Sequence, residues 1–336
     1  MMKPLLIAYA GNKGIRMMTR EDARRLSHIN LAFGVLEDGL LSLKHLNIWD
    51  ELPRIRGWNP EIKCVLSVGG WGAGGFSQMA KTSGGRRAFA ISCQKAMDAH
   101  GLDGIDIDWE YPCSSSAGID ASPDDKENFT RLMHELRAAL GGRIVSIAAG
   151  AGGDYVRNTQ MDLVSEACDY IQLMTYDMRA GDTHQAGHHT GLYASMGDES
   201  GMTVQRAAAL FHQAGVPKHK LVIGGAFYSR RWEGVPKTRK GLLQQSESTG
   251  NYGPDYDTLL MDYIDKNGWT RYWDQDAQAP FLFNGRSFIS YDDQQSLTQK
   301  CRYLKDEGLG GIMYWEHSSD STHTLLAAMA GELGRG

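Results

Sequence analysis

Eight short apolar segments restrict the fold more than any other feature of this sequence. Most of them end in glycine or in a polar cluster, and segments with helical periodicity lie between them. The segments are PLLIAYA, HINLAFG, IKCVLSVGG, LDGIDIDWEY, RIVSIAAG, CDYIQLMTYD, KLVIGGAFY and LGGIMYWE, which begin at residues 4, 28, 62, 102, 143, 168, 220 and 309. Strands that are apolar along their whole length are typical of parallel sheets buried on both faces. Eight of them alternating with helices predict an α/β fold, the (β/α)8 TIM barrel, with a doubly wound open sheet as the alternative.

The interval between the seventh and eighth segments is much longer than the others. It spans about 85 residues, and its extra length is rich in Tyr, Trp, Gly and Asp with weak helical periodicity. A long excursion of this kind is usually a functional insertion rather than a bare loop. We therefore expect a small α+β insertion subdomain at residues 231–290, between strands seven and eight, and a barrel formed by residues 1–230 and 291–336.

Charge and composition argue against several classes of protein. The formal net charge of −5 gives no electrostatic basis for binding nucleic acid or an anionic membrane. The five cysteines are scattered without metal-site spacing, and they do not suggest a disulfide framework. The opening apolar run is short for a signal peptide, and no segment approaches the length of a membrane span. We expect a soluble protein, cytoplasmic as the sequence stands and secreted if a leader is missing before Met1.

The fourth segment carries an unusual series of acidic side chains. Asp106, Asp108 and Glu110 share one parity, whereas Asp103 has the other. Side chains alternate across a strand, so the three acids of one parity face the barrel interior, and Glu110 lies nearest the mouth at the carboxyl ends of the strands. Close carboxylates cannot all ionise cheaply, so at least one holds a proton near neutral pH. We interpret Glu110 as a general acid, with Asp108 and Asp106 sharing charge behind it.

Two other interpretations of these acids stay open. One is a structural set satisfied by backbone amides or by a bound cation. The other is a divalent metal site, because clustered carboxylates are hard oxygen ligands. All three acids come from one strand, whose spacing cannot wrap an ion, and only Asp177 at another strand end offers a further ligand. We therefore predict no metal.

Aromatic side chains recur at the predicted strand ends. They are Trp71, Tyr111, Tyr176, Tyr228, Trp232 and Trp315. An aromatic ring offers a flat apolar face with a hydrogen-bonding edge, and a sugar ring presents the complementary surface. Any one of these residues is more typical of core packing than of ligand contact, but six of them together with the acids favour a carbohydrate ligand. No nucleotide-binding glycine motif is present, and we expect no cofactor.

Four motifs at four predicted strand ends resemble those of glycoside hydrolase family 18, the chitinases. DGIDIDWE, residues 103–110, matches every position of the DxxDxDxE signature, and SVGG, residues 67–70, looks like the SxGG motif. QLMTYD, residues 172–177, and GGIMYWE, residues 310–316, are similar to the strand-six and strand-eight motifs. The resemblance covers nearly the whole chain, and the predicted insertion falls where many bacterial-type members carry a small α+β domain.

The resemblance implies a role for each matching residue. Glu110 would protonate the glycosidic oxygen and later activate water, Asp108 would orient the substrate's N-acetyl group, and Asp106 would pair with Asp108. Tyr176 would donate to the acetamide oxygen, which is the nucleophile in this family and gives an oxazolinium intermediate with retention of configuration. The expected substrate contacts are Asp177, Trp315 as a hydrophobic floor, Tyr228, Arg230, Trp71, Tyr111, Met174, Tyr9 and Phe33. Trp232, Trp269 and Trp273 are further candidates for outer subsites.

The leading interpretation is a monomeric chitinase or chito-oligosaccharidase that cuts β-1,4 bonds between N-acetylglucosamine units. A family relative acting on N-glycan cores or peptidoglycan, and a chitinase-like lectin, are the alternatives; the lectin would lack the acid that Glu110 provides. No separate chitin-binding module is evident, which favours soluble oligosaccharides over crystalline chitin. Ser229 stands where the family often has glycine, and we expect it to alter a local turn.

Overall fold

A computed structural model describes residues 3–199 and 201–335. Residues 1–2, 200 and 336 of the predicted barrel domain lie outside the described residues. The strands in the described ranges are β1 (Leu5–Ala10), β2 (His28–Glu37), β3 (Leu40–Ser42), β4 (Lys63–Gly69), β5 (Gly104–Asp108), β6 (Ile144–Gly150), β7 (Tyr170–Met174), β8 (Leu221–Ala226), β9 (Tyr228–Trp232), β10 (Asn251–Asp255), β11 (Thr270–Asp274), β12 (Ala279–Phe283), β13 (Phe288–Ser290) and β14 (Gly311–Trp315).

Eight of these strands close into a parallel barrel. Their order around it is β1, β2, β4, β5, β6, β7, β8 and β14, and β1 pairs in parallel with both β2 and β14. The eight barrel strands coincide with the eight apolar segments, so the predicted (β/α)8 barrel is confirmed. An open sheet is excluded because the first strand pairs with the last. The short β3 adds to the edge of β2 in the antiparallel sense.

Helices surround the barrel and follow most of its strands. They are α1 (Asn12–Met17), α2 (Arg20–Arg25), α3 (Leu52–Trp58), α4 (Phe76–Ala80), α5 (Ser83–His100), α6 (Asp125–Leu140), α7 (Gly153–Arg157), α8 (Met161–Ala167), α9 (Val204–Gln213), α10 (Tyr256–Thr258), α11 (Gln294–Glu307) and α12 (Thr324–Glu332). Short 3-10 helices span Trp49–Glu51, Lys218–Lys220, Thr238–Gly241 and His317–Ser319, and a π-helical turn spans Leu259–Tyr263. None of the helices within the described residues has the length and apolar character needed to cross a membrane.

The apolar face of each long helix packs against the outside of the barrel. In α6, Phe129, Leu132 and Leu136 are buried, as their spacing along one helical face predicts. On the barrel side, Trp109 stacks against Phe76 with ring centroids 5.3 Å apart and meets Phe129 edge-on at 5.8 Å. This packing fixes the outer face of the segment that carries the acidic residues.

A second sheet follows β8 and extends the chain beyond the barrel. It is antiparallel, with strand order β10-β9-β13-β12-β11, and it lies between residues 228 and 290. It has a small core of its own, whose largest members are Trp232, Phe281, Phe283 and Phe288. The expected stretch, residues 231–290, contains this sheet except for the first three residues of β9, and its treatment as a separate subdomain stays a prediction.

A buried ion pair joins the second sheet to the barrel. Asp292, directly after β13, accepts hydrogen bonds from Lys300 Nζ at 2.6 Å and from the backbone N–H of Ala226, the last residue of β8, at 3.0 Å. Lys300 Nζ also donates to Thr190 Oγ1 at 2.6 Å. The side chains of Lys300 and Asp292 are 1% and 0% exposed, so neither charge has water as an alternative partner.

We expect Lys300→Met to lower the free energy of unfolding by about 3–5 kcal/mol, because it leaves the Asp292 carboxylate buried without its cation. Urea denaturation of the full chain measures this change. Lys305→Met, in the same helix, removes an exposed ion pair to Glu332 and should cost less than about 1 kcal/mol. Equal losses for the two variants would contradict a special role for the buried pair.

Candidate active site

Asp106 lies at the centre of the barrel and is fully buried. Its two carboxylate oxygens accept four hydrogen bonds, from Ser67 Oγ, Ser146 Oγ and Tyr9 Oη at 2.8 Å each and from Gln172 Nε2 at 2.9 Å. Ser67, Asp106 and Ser146 occupy matching positions on β4, β5 and β6, so their side chains project to the same interior face. Burial raises the pKa of Asp106, and the hydrogen bonds from these donors act in the opposite direction.

Asp108 and Glu110 follow Asp106 toward the mouth and are also buried, with 4% and 8% of their surfaces exposed. Burial, the charge of Glu110 and the charge of Asp106 together hold the pKa of Asp108 well above its usual range. Asp108 Oδ1 has no hydrogen-bond partner among the described residues. The four donors to Asp106 do not include Asp108, so the direct pairing of these two acids that the resemblance implies is not present in this arrangement.

Burial raises the pKa of Glu110 to about 7. The Tyr111 hydroxyl works in the opposite direction, and the negative charge of Asp177 adds to the rise. A carboxyl group with this pKa is protonated in a large fraction of molecules at neutral pH and can donate that proton to a ligand. Glu110 thus has the protonation behaviour of a general acid near pH 7.

Two glycines after Ser67 allow the backbone of β4 to approach β5 closely. A Cβ on Gly69 would lie 1.9 Å from the backbone oxygen of Asp108, and Gly69 has a φ of +127°, which favours glycine. The Gly70 N–H donates to the same Asp108 oxygen at 2.9 Å. The SVGG motif therefore positions the backbone that carries Asp108 and Glu110.

Trp315, at the end of β14, is part of an apolar cluster inside the barrel. Its ring stacks on Phe33 at 5.4 Å and is tilted against Tyr9 at 5.8 Å. Met174 and Tyr9 belong to the same cluster and are buried, with Phe33, Trp315 and Tyr176 only partly so. The Tyr9 hydroxyl donates to Asp106, so Tyr9 helps to hold this acid in place. The Trp315 ring, in contrast, is partly exposed to solvent.

Tyr176 lies between the acids and the second sheet. Its hydroxyl is 3.8 Å from Met313 Sδ, and its ring meets Tyr228 edge-on at 6.0 Å. Burial and the charges of Asp108 and Glu110 hold the pKa of Tyr176 well above its usual range. The phenol therefore keeps its proton and can act as a hydrogen-bond donor beside the two carboxyls.

Asp177 is held in its charged form by two basic side chains. Its Oδ1 accepts a hydrogen bond from Arg230 Nε at 2.7 Å and lies 3.5 Å from His189 Nδ1. Burial alone would raise the pKa of Asp177, but His189 and Arg230 outweigh it and lower the pKa below its usual range. The Arg230 guanidinium is stacked 3.7 Å above the Tyr252 ring, and Tyr228 packs against His189 at 5.4 Å. The structure thus brings Asp177, Tyr228 and Arg230 together at one side of the site.

Exposed aromatic rings border the mouth. Trp71 is 62% exposed and meets Tyr111 edge-on at 6.2 Å, and Tyr111 in turn meets Tyr155 at 5.8 Å. Tyr252 is 70% exposed on the opposite side of the site, beside Arg230 and Tyr228. A large apolar ring with so much exposed surface is available to a ligand.

Three expectations change when the residues are located. Ser229 lies inside β9, is buried and donates to the Pro254 backbone oxygen at 2.6 Å; the expectation of an altered turn is wrong because no turn occurs there. Trp232 is fully buried in the core of the second sheet, and Trp269 is 8% exposed beneath Tyr263. Neither ring offers a face to a ligand at the mouth. Trp273, in β11, lies beside the Arg271 guanidinium.

Several polar residues of the site were not predicted from the sequence. Gln172 connects Asp106 to Asn30, whose Nδ2 donates to Gln172 Oε1 at 2.9 Å, and Ser146 completes the set of donors. These residues lie at strand positions whose side chains point into the barrel, and the alternation of side chains along each strand could have predicted this. His189 had no such signal, because it lies in the long connection after β7 and outside any strand.

Comparison with known proteins identifies the family. Residues 6–320 match the sequence profile of Glycosyl hydrolases family 18. The solved structure of a family 18 N-acetylglucosaminidase from Paenibacillus barengoltzii superposes with a TM-score of 0.96, is 46% identical, and covers 98% of this chain and 99% of its own. Chitinase ChiW of Paenibacillus sp. str. FPU-7, a multi-modular cell-surface enzyme, superposes with a TM-score of 0.92 at 35% identity, over 99% of this chain and 33% of its own.

Chitinase A1 of Niallia circulans is 35% identical over 314 residues, which make up 85% of this chain and 45% of that protein. This chain thus spans less than half the length of Chitinase A1. The family profile extends across the barrel and the second sheet, from β1 to the segment that follows β14. The chain therefore belongs to glycosyl hydrolases family 18.

Proposed function

We propose that this protein hydrolyses β-1,4 bonds between N-acetylglucosamine units of chitin or soluble chito-oligosaccharides, with Glu110 as acid and base. The observation that carries the proposal is a buried carboxyl at the barrel mouth whose pKa is raised to about 7. Family membership and the likeness to Chitinase A1 support the substrate class. Because the candidate site is complete within one chain, we propose that the protein acts as a monomer.

In the first step Glu110 donates its proton to the glycosidic oxygen, and the bond from that oxygen to the sugar's anomeric carbon breaks. Ordinary retaining glycosidases use a second, ionised carboxylate as the nucleophile. Asp108 suits that role poorly, because its pKa is raised well above the usual range and a protonated carboxyl is a weak nucleophile. We therefore assign the attack on the anomeric carbon to the acetamide oxygen of the substrate itself, as the family resemblance implies.

The resulting oxazolinium ion carries a positive charge that the site can stabilise. Asp108 Oδ1 is buried and has no hydrogen-bond partner among the described residues, so it would accept the acetamide N–H and hold the acetamide oxygen toward the anomeric carbon. Tyr176, which keeps its phenolic proton, would donate to the acetamide oxygen. Glu110, now deprotonated, would then take a proton from water as the water attacks, and the configuration would be retained.

The remaining residues suit a sugar chain lying across the mouth. Trp315 would pack under the ring that carries the reacting acetamide, and charged Asp177 would accept hydrogen bonds from its hydroxyl groups. Trp71 and Tyr252, on opposite sides of the site, would contact sugars farther along the chain. The second sheet, which supplies Tyr228, Arg230 and Tyr252, would form one wall of this cleft.

A second candidate is removal of single N-acetylglucosamine units from a chain end. It is favoured by the likeness to the Paenibacillus barengoltzii N-acetylglucosaminidase, which extends over nearly the full length of both chains. The chemistry at Glu110 would be the same, and the two candidates differ only in the position of the bond that is cut.

Digestion of the N-acetylglucosamine tetramer and hexamer, followed by early product analysis, separates these candidates. We expect the wild type to release dimers and trimers; release of monomers from the first time points would establish the second candidate.

Glu110→Gln should lower kcat by about 10²–10⁴-fold, as the loss of a general acid does. Glu127→Gln, an exposed control on α6, should keep full activity. A near-normal rate for Glu110→Gln would remove Glu110 from the mechanism.

The pH dependence of kcat/KM should report the raised pKa of Glu110. The proton needed for catalysis is bound below the pKa, so kcat/KM should fall about tenfold per pH unit once the pH exceeds about 7. A substrate whose leaving group is a nitrophenolate needs little protonation, and its alkaline decline should be weaker. A profile for the natural oligosaccharide that stays flat up to pH 9 would contradict the assignment.

Fully deacetylated oligomers should not be hydrolysed, because they lack the acetamide oxygen that attacks the anomeric carbon. The measurement compares the acetylated and deacetylated hexamers at equal concentration and enzyme loading. Rapid cleavage of the deacetylated hexamer would rule out assistance by the substrate and would leave a protein carboxylate as the nucleophile.

A further inference from the structure

A second group of chemically active side chains lies outside the proposed catalytic site. Asp22 belongs to α2, His317 follows β14 directly, and His323 precedes α12. One potential ligand atom from each of the three residues lies within 4.8 Å of the other two. Asp22 and His317 are buried, whereas the His323 side chain is 23% exposed. We refer to these three residues as the Asp22 cluster.

The contacts within the Asp22 cluster leave several buried polar atoms unsatisfied. Asp22 Oδ2 lies 2.9 Å from His323 Nδ1 and 3.8 Å from His317 Nε2, yet neither ring nitrogen makes a hydrogen bond within the described residues. Asp22 Oδ2 already accepts the N–H and the hydroxyl of Thr19, at 2.9 and 2.6 Å. Asp22 Oδ1 is buried without any hydrogen bond, and the nearest cation, Arg25, is 3.9 Å away. Such unsatisfied atoms are costly unless a ligand completes them.

His317 is oriented toward the cluster by its other nitrogen. Nδ1 lies 2.9 Å from the hydroxyl of Tyr314, a fully buried residue of β14 that stacks on Phe227 at 4.2 Å. When Nδ1–H donates to this hydroxyl, the lone pair of Nε2 points at Asp22. Histidines that bind metals usually have one ring nitrogen on the metal and the other donating a hydrogen bond in this way.

We propose that Asp22, His317 and His323 bind a zinc ion. Zinc takes histidine nitrogens and carboxylate oxygens at about 2.0–2.2 Å, so two ligand atoms of a tetrahedral ion lie about 3.3 Å apart. The separations of 2.9 and 3.8 Å lie on either side of this value. Two imidazoles select a transition metal over calcium or magnesium, which require oxygen ligands. Partial exposure at His323 leaves the fourth position to water.

The proposed ion would join segments from the beginning and the end of the barrel sequence. Helix α2 comes after β1, and both histidines come after β14, so the ion would link the segments that follow the first and the last strands. These strands pair with each other at the closure of the barrel. His317 is also two residues beyond Trp315, so the ion would stabilise the segment that carries the proposed floor of the sugar site.

The test uses the full-length protein, stripped with a chelator and desalted, with zinc as the only added metal. We expect one zinc per chain by elemental analysis. In urea titrations, free zinc at 100 times its Kd should lower the unfolding equilibrium constant about 100-fold. His323→Gln should lose both effects; its partial exposure and its position outside any helix make it suitable as a folded variant. His219→Gln, which replaces an exposed histidine in the 3-10 helix just before β8, at the amino-terminal end of the strands, should retain both.

The proposal would be overturned if the wild type bound no stoichiometric zinc, or if His323→Gln bound zinc as tightly as the wild type. It would also be overturned if His323→Gln lowered stability by the same amount with the chelator and with zinc, since the cluster would then be a hydrogen-bonded group only. Cobalt substitution gives a second readout, because a four-coordinate site produces a strong visible absorption that His323→Gln should abolish.

Discussion

The buried carboxylate of Asp106 is the constraint on which the centre of this barrel depends. A charge there has no access to water, and its removal from water would cost several kcal/mol if it were not compensated. The barrel compensates it with four donors from four strands, β1, β4, β6 and β7. Each donor requires its strand in the correct register, so the requirements of one side chain couple strands that are far apart in the sequence.

The degree of compensation falls from the barrel centre to its mouth. Asp106 accepts four hydrogen bonds, two at each carboxylate oxygen, whereas Asp108 has one oxygen without a partner. At Glu110 the Tyr111 hydroxyl lowers the pKa, but burial raises it by more. The pKa of each acid is raised, and Glu110, the proposed general acid, is the last of the three along the chain toward the barrel mouth. Asp106 thus stabilises the centre of the barrel, while the proton proposed for catalysis is held by Glu110 at the mouth.

The barrel could be predicted from the sequence because its strands are recognised by patterns within short segments of the chain. Each strand is a continuous apolar run, and the inward parity of Asp106 and Asp108 follows from alternation within β5. Beyond the end of a strand, the alternation of side chains no longer predicts the direction in which a side chain points. β7 ends at Met174, so Asp177, with a φ of 54°, takes an orientation that no strand periodicity could predict. Tyr176 and Asp177 both follow the end of β7, which explains why their proposed roles depend on the motif resemblance.

Contacts between segments that are far apart in the sequence could not be predicted from local patterns. His189 reaches Asp177 from a connection without periodicity, and Trp232 is buried by strands of the second sheet that only the fold brings together. The Asp22 cluster is the extreme case, since roughly 300 positions separate Asp22 from the two histidines. The expectation that the chain binds no metal was based on the acids of one strand, the residues at strand ends and the spacing of the cysteines. None of these considerations concerns residues that come together only in the closed barrel.

The candidate active site and the Asp22 cluster each contain a buried acid with an oxygen that lacks a hydrogen-bond partner. Most buried carboxylates of the described residues are matched within the chain: Asp292 has Lys300, and Asp106 has four hydrogen-bond donors. Asp108 Oδ1 and Asp22 Oδ1 are buried oxygens without a hydrogen-bond partner among the described residues. Native proteins rarely leave such atoms unpaired without a reason, such as a catalytic role or a bound water or ion. At Asp108 the missing partner is a donor, which the N–H of the substrate's acetamide would supply in the proposed mechanism. At Asp22 the two histidine nitrogens nearest Oδ2 make no hydrogen bonds, and the proposed zinc ion would bind both nitrogens and this carboxylate.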